Sequence, residues 1–348
     1  MKTDNPAVQQ NPPTPETEIT VNPFVLTCGV FTPGQADAFL AAQTDPVRRA
    51  VCEAELAYYR GRPEQCAAIS QRLKEFDDPQ AGAGAFLIGM ICALSLGNTG
   101  MILDTLRQVN AAKPLMEALP QFKKTADFFL LYFNILTHNR EEMRFPEVSV
   151  KAFAVPEELT PMAIYAYAHY LIVCGDYGRA IGLAEGTLIQ MRDRMPVAEI
   201  YLAIITSIGY VFRGEWGKAE YYFNYAWETA RPDGIIMPFA EHKGMLSGMT
   251  ERCLRHAWPE ECRTISSLFH TYHKNWVKVH NSLTGENVTD KLTGMELNVA
   301  MLVSRGLSNT EIGEFLSISV NSVRSHLRNI FNKLEITNRK QLREFIIK

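Results

Sequence analysis

The residues with the clearest chemical capacity lie near the C-terminus. Asn321, Arg324, Ser325, Arg328 and Asn332 follow one another at spacings of 3, 1, 3 and 4, which places them on one face of a helix. Two guanidinium groups, two amides and a hydroxyl share that face without an acid among them. Arginine offers guanine two parallel donors, asparagine offers adenine a donor and an acceptor, and serine reaches a base edge or a phosphate. A face that only meets solvent more often mixes Glu with Lys. The stripe therefore suits a helix lying in the major groove of double-stranded DNA.

The residues around the stripe must hold such a helix. Thr293 with Glu296, and Ser308 with Glu311, have the spacing of capping boxes, and Gly306 supplies the stop between them. Helices are predicted over 294–304 and 309–316, then over 320–334 with Ser319 as cap. Asn338 opens a fourth, containing Leu342, Phe345 and Ile346. In the third, Val320, Val323, Leu327, Ile330, Phe331 and Leu334 form the apolar face opposite the polar stripe. Two short helices joined by a tight turn, the second the longer, make a helix-turn-helix.

At this point the residues resemble a known family, the LuxR/GerE-type helix-turn-helix. The matching positions are Leu292, Thr293, Glu296, Gly306, Leu307, Ser308, Asn309, Glu311, Ile312, Ile318, Ser319, Val323, His326, Asn329, Ile330, Lys333, Leu334, Asn338 and Arg339. The resemblance covers only about the last 60 residues. It implies a four-helix DNA-binding domain of a bacterial transcription regulator, with Asn321, Arg324, Ser325 and Arg328 reading bases. Asn309, Thr310, Ser322, Asn332 and Lys333 are then candidates for phosphate contacts. The fourth helix, through Leu342, Phe345 and Ile346, would be a dimer contact. Two positions depart from the family pattern: Met295 stands where Arg is usual and Thr310 where Lys is frequent, which weakens the expected grip on the DNA backbone. His326 borders the apolar face and is expected to pack or to touch one phosphate.

Upstream, the pattern is helical from the tail to about residue 255. Gly61, Gly97, Asn139, Gly175 and Gly214 mark turns between apolar helices, at spacings of 36, 42, 36 and 39. A near-constant period in this range is the mark of stacked helical hairpins. Around the last two turns Tyr167, Ala168, Leu171, Ala180 and Ala184, then Tyr210, Ala219, Phe223 and Ala226, resemble the tetratricopeptide pattern, in which Ala permits close helix crossing. This region is similar to that of MalT-like regulators, although the chain has no phosphate-binding loop of the G-x-x-x-x-G-K-[ST] type. The resemblance implies a small-molecule, peptide or protein ligand of unknown identity. Pro259, Glu260 and Glu261 then start a long amphipathic helix with Ile265, Leu268, Phe269, Tyr272, Trp276 and Val279 along one stripe.

The expected organisation is all-α. A disordered, Pro-rich tail spans 1–22; a tetratricopeptide-like solenoid for sensing or interaction spans 23–257; a connecting helix spans 258–284; and the helix-turn-helix domain spans 285–348, with residues 282–290 as the linker. Charge follows this division. The chain carries a net charge of -3, but residues 290–348 hold +3 and the rest -6. An even distribution would have argued against a polyanionic partner, whereas this asymmetry favours one.

Other classes fare poorly. The longest weakly polar runs, 85–97 and 200–212, fall short of a membrane span, and no secretory signal is legible, so a cytoplasmic protein is expected. Seven cysteines without a C-x-x-C pair read as reduced core thiols. His256, His270, His273 and His280, near Cys253 and Cys262, match no zinc template, so no metal or cofactor is expected. No catalytic motif is present, and an enzyme is not expected. The chain reads as a homodimeric DNA-binding regulator, with a helical-repeat interaction scaffold carrying a vestigial DNA-binding domain as the alternative.

Overall fold

The computed structural model describes residues 22, 24–117, 120–139, 141–142, 155–285 and 291–346. The expected tail, except Asn22, and residues 286–290 of the expected linker lie outside them. Every described regular element is helical, as expected. The N-terminal body begins with α1 (Ala36–Ala41), α2 (Pro46–Tyr59), α3 (Pro63–Leu73), α4 (Pro79–Leu96), α5 (Thr99–Glu117) and α6 (Pro120–Leu136). It continues with α7 (Thr160–Val173), α8 (Tyr177–Gln190), α9 (Pro196–Arg213), α10 (Trp216–Ala230), α11 (Met237–Leu246), α12 (Met249–Leu254) and α13 (Pro259–Thr284).

The starts and stops of these helices follow from local chemistry. Proline occupies the first turn of α2, α3, α4, α7, α9, α11 and α13, where its missing N–H has no partner to lose. Asp45, Asp78 and Asp176 cap α2, α4 and α8 by accepting a backbone N–H three residues on. The repeat turns all close in the same way: an N–H reaches back five residues to a carbonyl, in Arg62 to Ala57 (2.9 Å), Asn98 to Ala93 (2.8 Å), Asn139 to Asn134 (2.9 Å), Asp176 to Leu171 (2.8 Å) and Glu215 to Tyr210 (2.9 Å). That closure needs one left-handed residue. Gly61, Gly97, Gly175 and Gly214 supply it, but in the third turn it is His138 (φ +51°), one residue before the expected marker Asn139.

Successive helices pack on one another, α2 to α3 to α4 to α5 and α7 to α8 to α9 to α10. The arrangement is consistent with stacked hairpins, and the small residues sit where helices cross: Ala168, Ala180, Ala184, Ala219 and Ala226 are fully buried. Helix α9 is, by length and composition, apolar and long enough to cross a membrane, which the shorter run 200–212 did not suggest. Of its residues 89% are buried within the protein, and burial on most faces explains its apolar composition. All seven cysteines are free; Cys52, Cys66, Cys92 and Cys262 are core thiols, whereas Cys174 is exposed, contrary to expectation, because it ends α7 at a surface turn.

Helix α13 does more than connect. Its apolar stripe holds Ile265, Phe269, Tyr272 and Val279 in the core. Its polar groups reach the carbonyls left open where α4 and α6 end: Asn275 Nδ2 donates to Ser95 O (2.7 Å), Lys278 Nζ to Gly97 O (2.9 Å), Trp276 Nε1 to Leu136 O (2.8 Å), and His280 Nδ1 to Thr137 O (2.7 Å). The helix also runs through Thr284, so Ser282, Leu283 and Thr284 are helical and not linker; Gly285 (φ +71°) ends it.

Lys243 on α11 and Glu251 on α12 form an ion pair with side chains only 2% and 9% exposed. Lys243→Met is expected to strand the carboxylate and lower stability by about 3–5 kcal/mol. Adding Glu251→Leu should recover most of that loss, and urea unfolding of both variants against the parent measures it.

Candidate nucleic-acid interface and its docking surface

The C-terminal domain is built from α14 (Gly294–Ser304), α15 (Asn309–Leu316), α16 (Val320–Leu334) and α17 (Arg339–Ile346). Both capping boxes form. Glu296 N–H donates to Thr293 Oγ1 (3.3 Å) while Thr293 N–H donates to Glu296 Oε2 (2.7 Å), and the Ser308–Glu311 pair repeats this at 3.2 and 2.7 Å. Ser319 caps α16 through the Ser322 N–H (3.0 Å). Between α15 and α16 the chain turns at Ser317 (φ +53°), and Ile318 N–H returns to Gly313 O (2.9 Å). A Cβ at Gly313 would stand 2.8 Å from Ile318 O, so the turn admits no side chain there. Gly313 was not singled out from the sequence; a glycine inside a short amphipathic helix was the available signal.

Helix α16 buries Val323, Leu327 and Ile330 and exposes Asn321, Arg324, Ser325, Arg328 and Asn332. Arg324 Nη1 donates to Asn321 Oδ1 (3.3 Å), so two candidate base-reading side chains are held side by side. Lys333 Nζ, near the end of α16, donates to Glu296 Oε2 (2.7 Å). Burial pushes the Glu296 carboxyl up, but the hydrogen bonds from Lys333 and Thr293 outweigh it and hold the group below the usual carboxylate range. One acid thus caps α14 and anchors α16.

The phosphate candidates divide. Thr310 is exposed at the start of α15, and Ser322 is half-buried with its Oγ 2.9 Å from Ser319 Oγ. Asn309 accepts from the Arg339 guanidinium, and Lys333 is held by Glu296, so both already have partners within the domain. His326 is half-buried, at the border of the apolar face. Leu342, expected at a dimer contact, is instead fully buried, because α17 packs on α14 and its apolar edge closes the domain's own core. The side chains of Phe345 and Ile346 lie outside the described residues.

The domain is docked on the body. Phe315 of α15 packs on Trp216 of α10 (centroids 4.6 Å apart), and Arg252 of α12 lies over the same phenyl ring. Arg255 Nη1 donates to Leu316 O (2.8 Å) at the end of α15. Met295, one of the departures from the family pattern, lines the cleft between body and domain together with Cys262 and Phe269. Arg305, at the end of α14, lies over the Phe212 ring at 4.2 Å, and no hydrogen-bond partner meets its guanidinium nitrogens among the described residues. Burial pushes this guanidinium down to about 9.

A polar cluster that the sequence did not disclose lies under the docked domain. Tyr165 O–H bonds His242 Nε2 (2.8 Å), and Glu241 accepts from Tyr58 and Tyr201 (2.8 Å). Burial raises Glu241 to about 7 and lowers His242 to about 4, while His169, also buried, falls well below its usual range. The only local signal was the run Glu241-His242-Lys243 inside an otherwise apolar helix. The histidines first weighed as metal ligands go elsewhere: His280 is buried on Thr137, His273 stacks on Phe269, and His256 and His270 are exposed. Among the described residues no three His, Cys, Asp or Glu side chains converge as a metal site.

The capped α14, the tight α15–α16 turn and the projecting polar face define a helix-turn-helix domain. Residues 290–345 match the family described as bacterial regulatory proteins, luxR family. The chain therefore carries a LuxR-family helix-turn-helix domain at its C-terminus. Over 60 residues it is 40% identical to the transcriptional regulatory protein LiaR of Bacillus subtilis, covering 17% of this chain and 28% of that protein. Over 51 residues it is 45% identical to the monoamine regulon transcriptional regulator of Klebsiella aerogenes, covering 15% and 22%. Over 66 residues it is 33% identical to the response regulator protein VraR of Staphylococcus aureus, covering 19% and 32%. The matches thus span less than a third of the length of these relatives. No solved structure matches the chain.

Two outcomes follow. Arg305→Met is expected to raise the unfolding midpoint in calorimetry, since it keeps the contact with Phe212 and removes an unpaired buried charge. The buried cluster sets opposed pH slopes. His169 and His242, depressed below their usual 6.5, stabilise the fold above that value and lose the contribution as pH falls. Glu241, raised from 4.5 to about 7, contributes at low pH and loses it as pH rises through 7. Glu241→Gln removes the opposing slope, so stability should climb more steeply between these limits, by about 1.4 kcal/mol per pH unit in urea titrations.

Proposed function

We propose that this chain is a DNA-binding transcription regulator whose helix α16 reads the major groove through Asn321, Arg324, Ser325 and Arg328. The observation that carries this is the exposed, acid-free polar face of α16 within a LuxR-family domain. Thr310, Ser322 and Asn332 are the phosphate contacts open to solvent or partly so, while Asn309 and Lys333 must exchange an internal partner for DNA. With Met295 turned to the body, the backbone grip is light and base contacts carry more of the affinity.

Two copies acting on adjacent half-sites would extend a recognition element that a single helix leaves short. The N-terminal body, 23–257 with α13 behind it, is the sensing or interaction domain, and its docking contacts with α14 and α15 are the route by which an occupant alters DNA binding. The enzyme and scaffold alternatives lack a comparable observation.

The test uses duplexes selected from a randomised pool by the full chain. Arg324→Ala with Arg328→Ala should cost about 1–3 kcal/mol per lost base contact and flatten discrimination at those positions. Affinity, specificity and salt dependence all unchanged would overturn the assignment of α16.

A further inference from the structure

Beneath the docked domain lies a cavity of about 170 Å3. Phe269, Tyr272 and Trp276 of α13 form an aromatic wall, and Leu297 and Met301 of α14 close the cavity from the C-terminal domain. Three buried polar side chains also line it, His169, Glu241 and His242, together with the half-buried His138 and His273.

The network fixes the hydrogen-bonding sense of His169. Pro238 O can only accept, so His242 Nδ1 (2.8 Å away) carries the proton, and in the neutral ring its Nε2 is an acceptor. Tyr165 must then donate its single hydroxyl proton to His242 Nε2. The Tyr165 oxygen, which also meets the Tyr132 hydroxyl, then accepts from His169 Nδ1 at 3.3 Å. With its proton on Nδ1, neutral His169 presents a bare lone pair at Nε2, and this atom is buried without a partner. His169 itself is only 3% exposed.

Glu241 is also an acceptor. Its two oxygens are held by Tyr58 and Tyr201, and the nearby Lys243 is committed to Glu251, so no cation offsets it among the described residues. Burial raises its proton affinity, which is the mark of a carboxylate lacking a positive partner. Two acceptors, one of them acidic, inside an aromatic wall are complementary to an ammonium group on a small aromatic carrier. An apolar cavity of about 150 Å3 holds a benzene ring, so the volume here suits one ring with a short chain.

We propose that the cavity binds a small protonated arylalkylamine, its ammonium group directed to Glu241 and His169 and its ring against the aromatic wall of α13. Because Leu297 and Met301 belong to the C-terminal domain, the occupant touches both parts of the chain and biases how that domain is docked. This consequence, unlike the binding itself, rests on the DNA-binding function proposed above.

Isothermal titration of the full chain with 2-phenylethylamine, against the neutral isostere 2-phenylethanol, tests the site. The amine should bind saturably, about tenfold or more tighter than the alcohol. Glu241→Gln should erase that preference, and Met301→Trp, which fills the cavity from the C-terminal side, should abolish binding of both. The proposal is overturned if the amine does not bind, if the alcohol binds equally well, or if neither variant alters amine binding. DNA affinity is measured in parallel with and without the amine. Amine binding by a chain that never binds DNA would leave the site standing and sink the regulatory function. DNA binding by a chain that ignores the amine would do the reverse.

Discussion

The architecture depends on one helix that satisfies the ends of others. Each α-helix finishes with carbonyls that its own hydrogen bonds cannot reach, and the ends of α4 and α6 both face α13. Helix α13 brings Asn275, Trp276, Lys278 and His280 to the carbonyls of Ser95, Leu136, Gly97 and Thr137. A purely apolar stripe would have let α13 slide along the groove, whereas four directed bonds set its register. That register in turn places Phe269 beneath Gly294 and Tyr272 beside the buried carboxyl of Glu241.

The C-terminal domain inherits its position from this spine. Glu296 shows how economically the domain is assembled: one carboxylate caps α14 and accepts from Lys333, so the first helix and the polar helix α16 cannot shift independently. The docked face uses the end of α15 and the inner side of α14, which leaves the arginine-bearing face of α16 in solvent. Arg305 is the discordant element, a guanidinium shut against Phe212 with no hydrogen-bond partner among the described residues. A contact carrying an unpaired charge is held less firmly than one built from apolar groups alone.

Much of this was legible beforehand where the interaction is local. The first three C-terminal helices begin and end where Thr293, Ser308, Ser319 and Gly306 imply, because a cap acts over three or four residues and the sequence displays both members. The repeat turns were legible for the same reason, and the one displacement, from Asn139 to His138, reflects a left-handed residue that need not be glycine. Where side-chain identity had to be converted into exposure, legibility fell. Leu342 reads as an outward apolar residue on a short helix, yet it closes the domain core; Lys333 reads as a free cation, yet it is tied to an acid 37 residues earlier.

By itself the sequence determined the all-helical class, the punctuation of the C-terminal domain and the five residues of the polar stripe, since each rests on spacings shorter than two helical turns. Only the tertiary structure decided what lies between the two parts of the chain. His169, Glu241, Tyr272 and Leu297 come from four different helices and line one cavity, where Tyr58 and Tyr201 hold the Glu241 carboxyl. No periodicity records such a meeting, because the free energy that brings these groups together is that of burying the apolar surfaces around them. The net charge of -3 illustrates the same limit: the total says little, the division into +3 and -6 was available in the chain, and the exposed placement of Arg324 and Arg328 belongs to the fold.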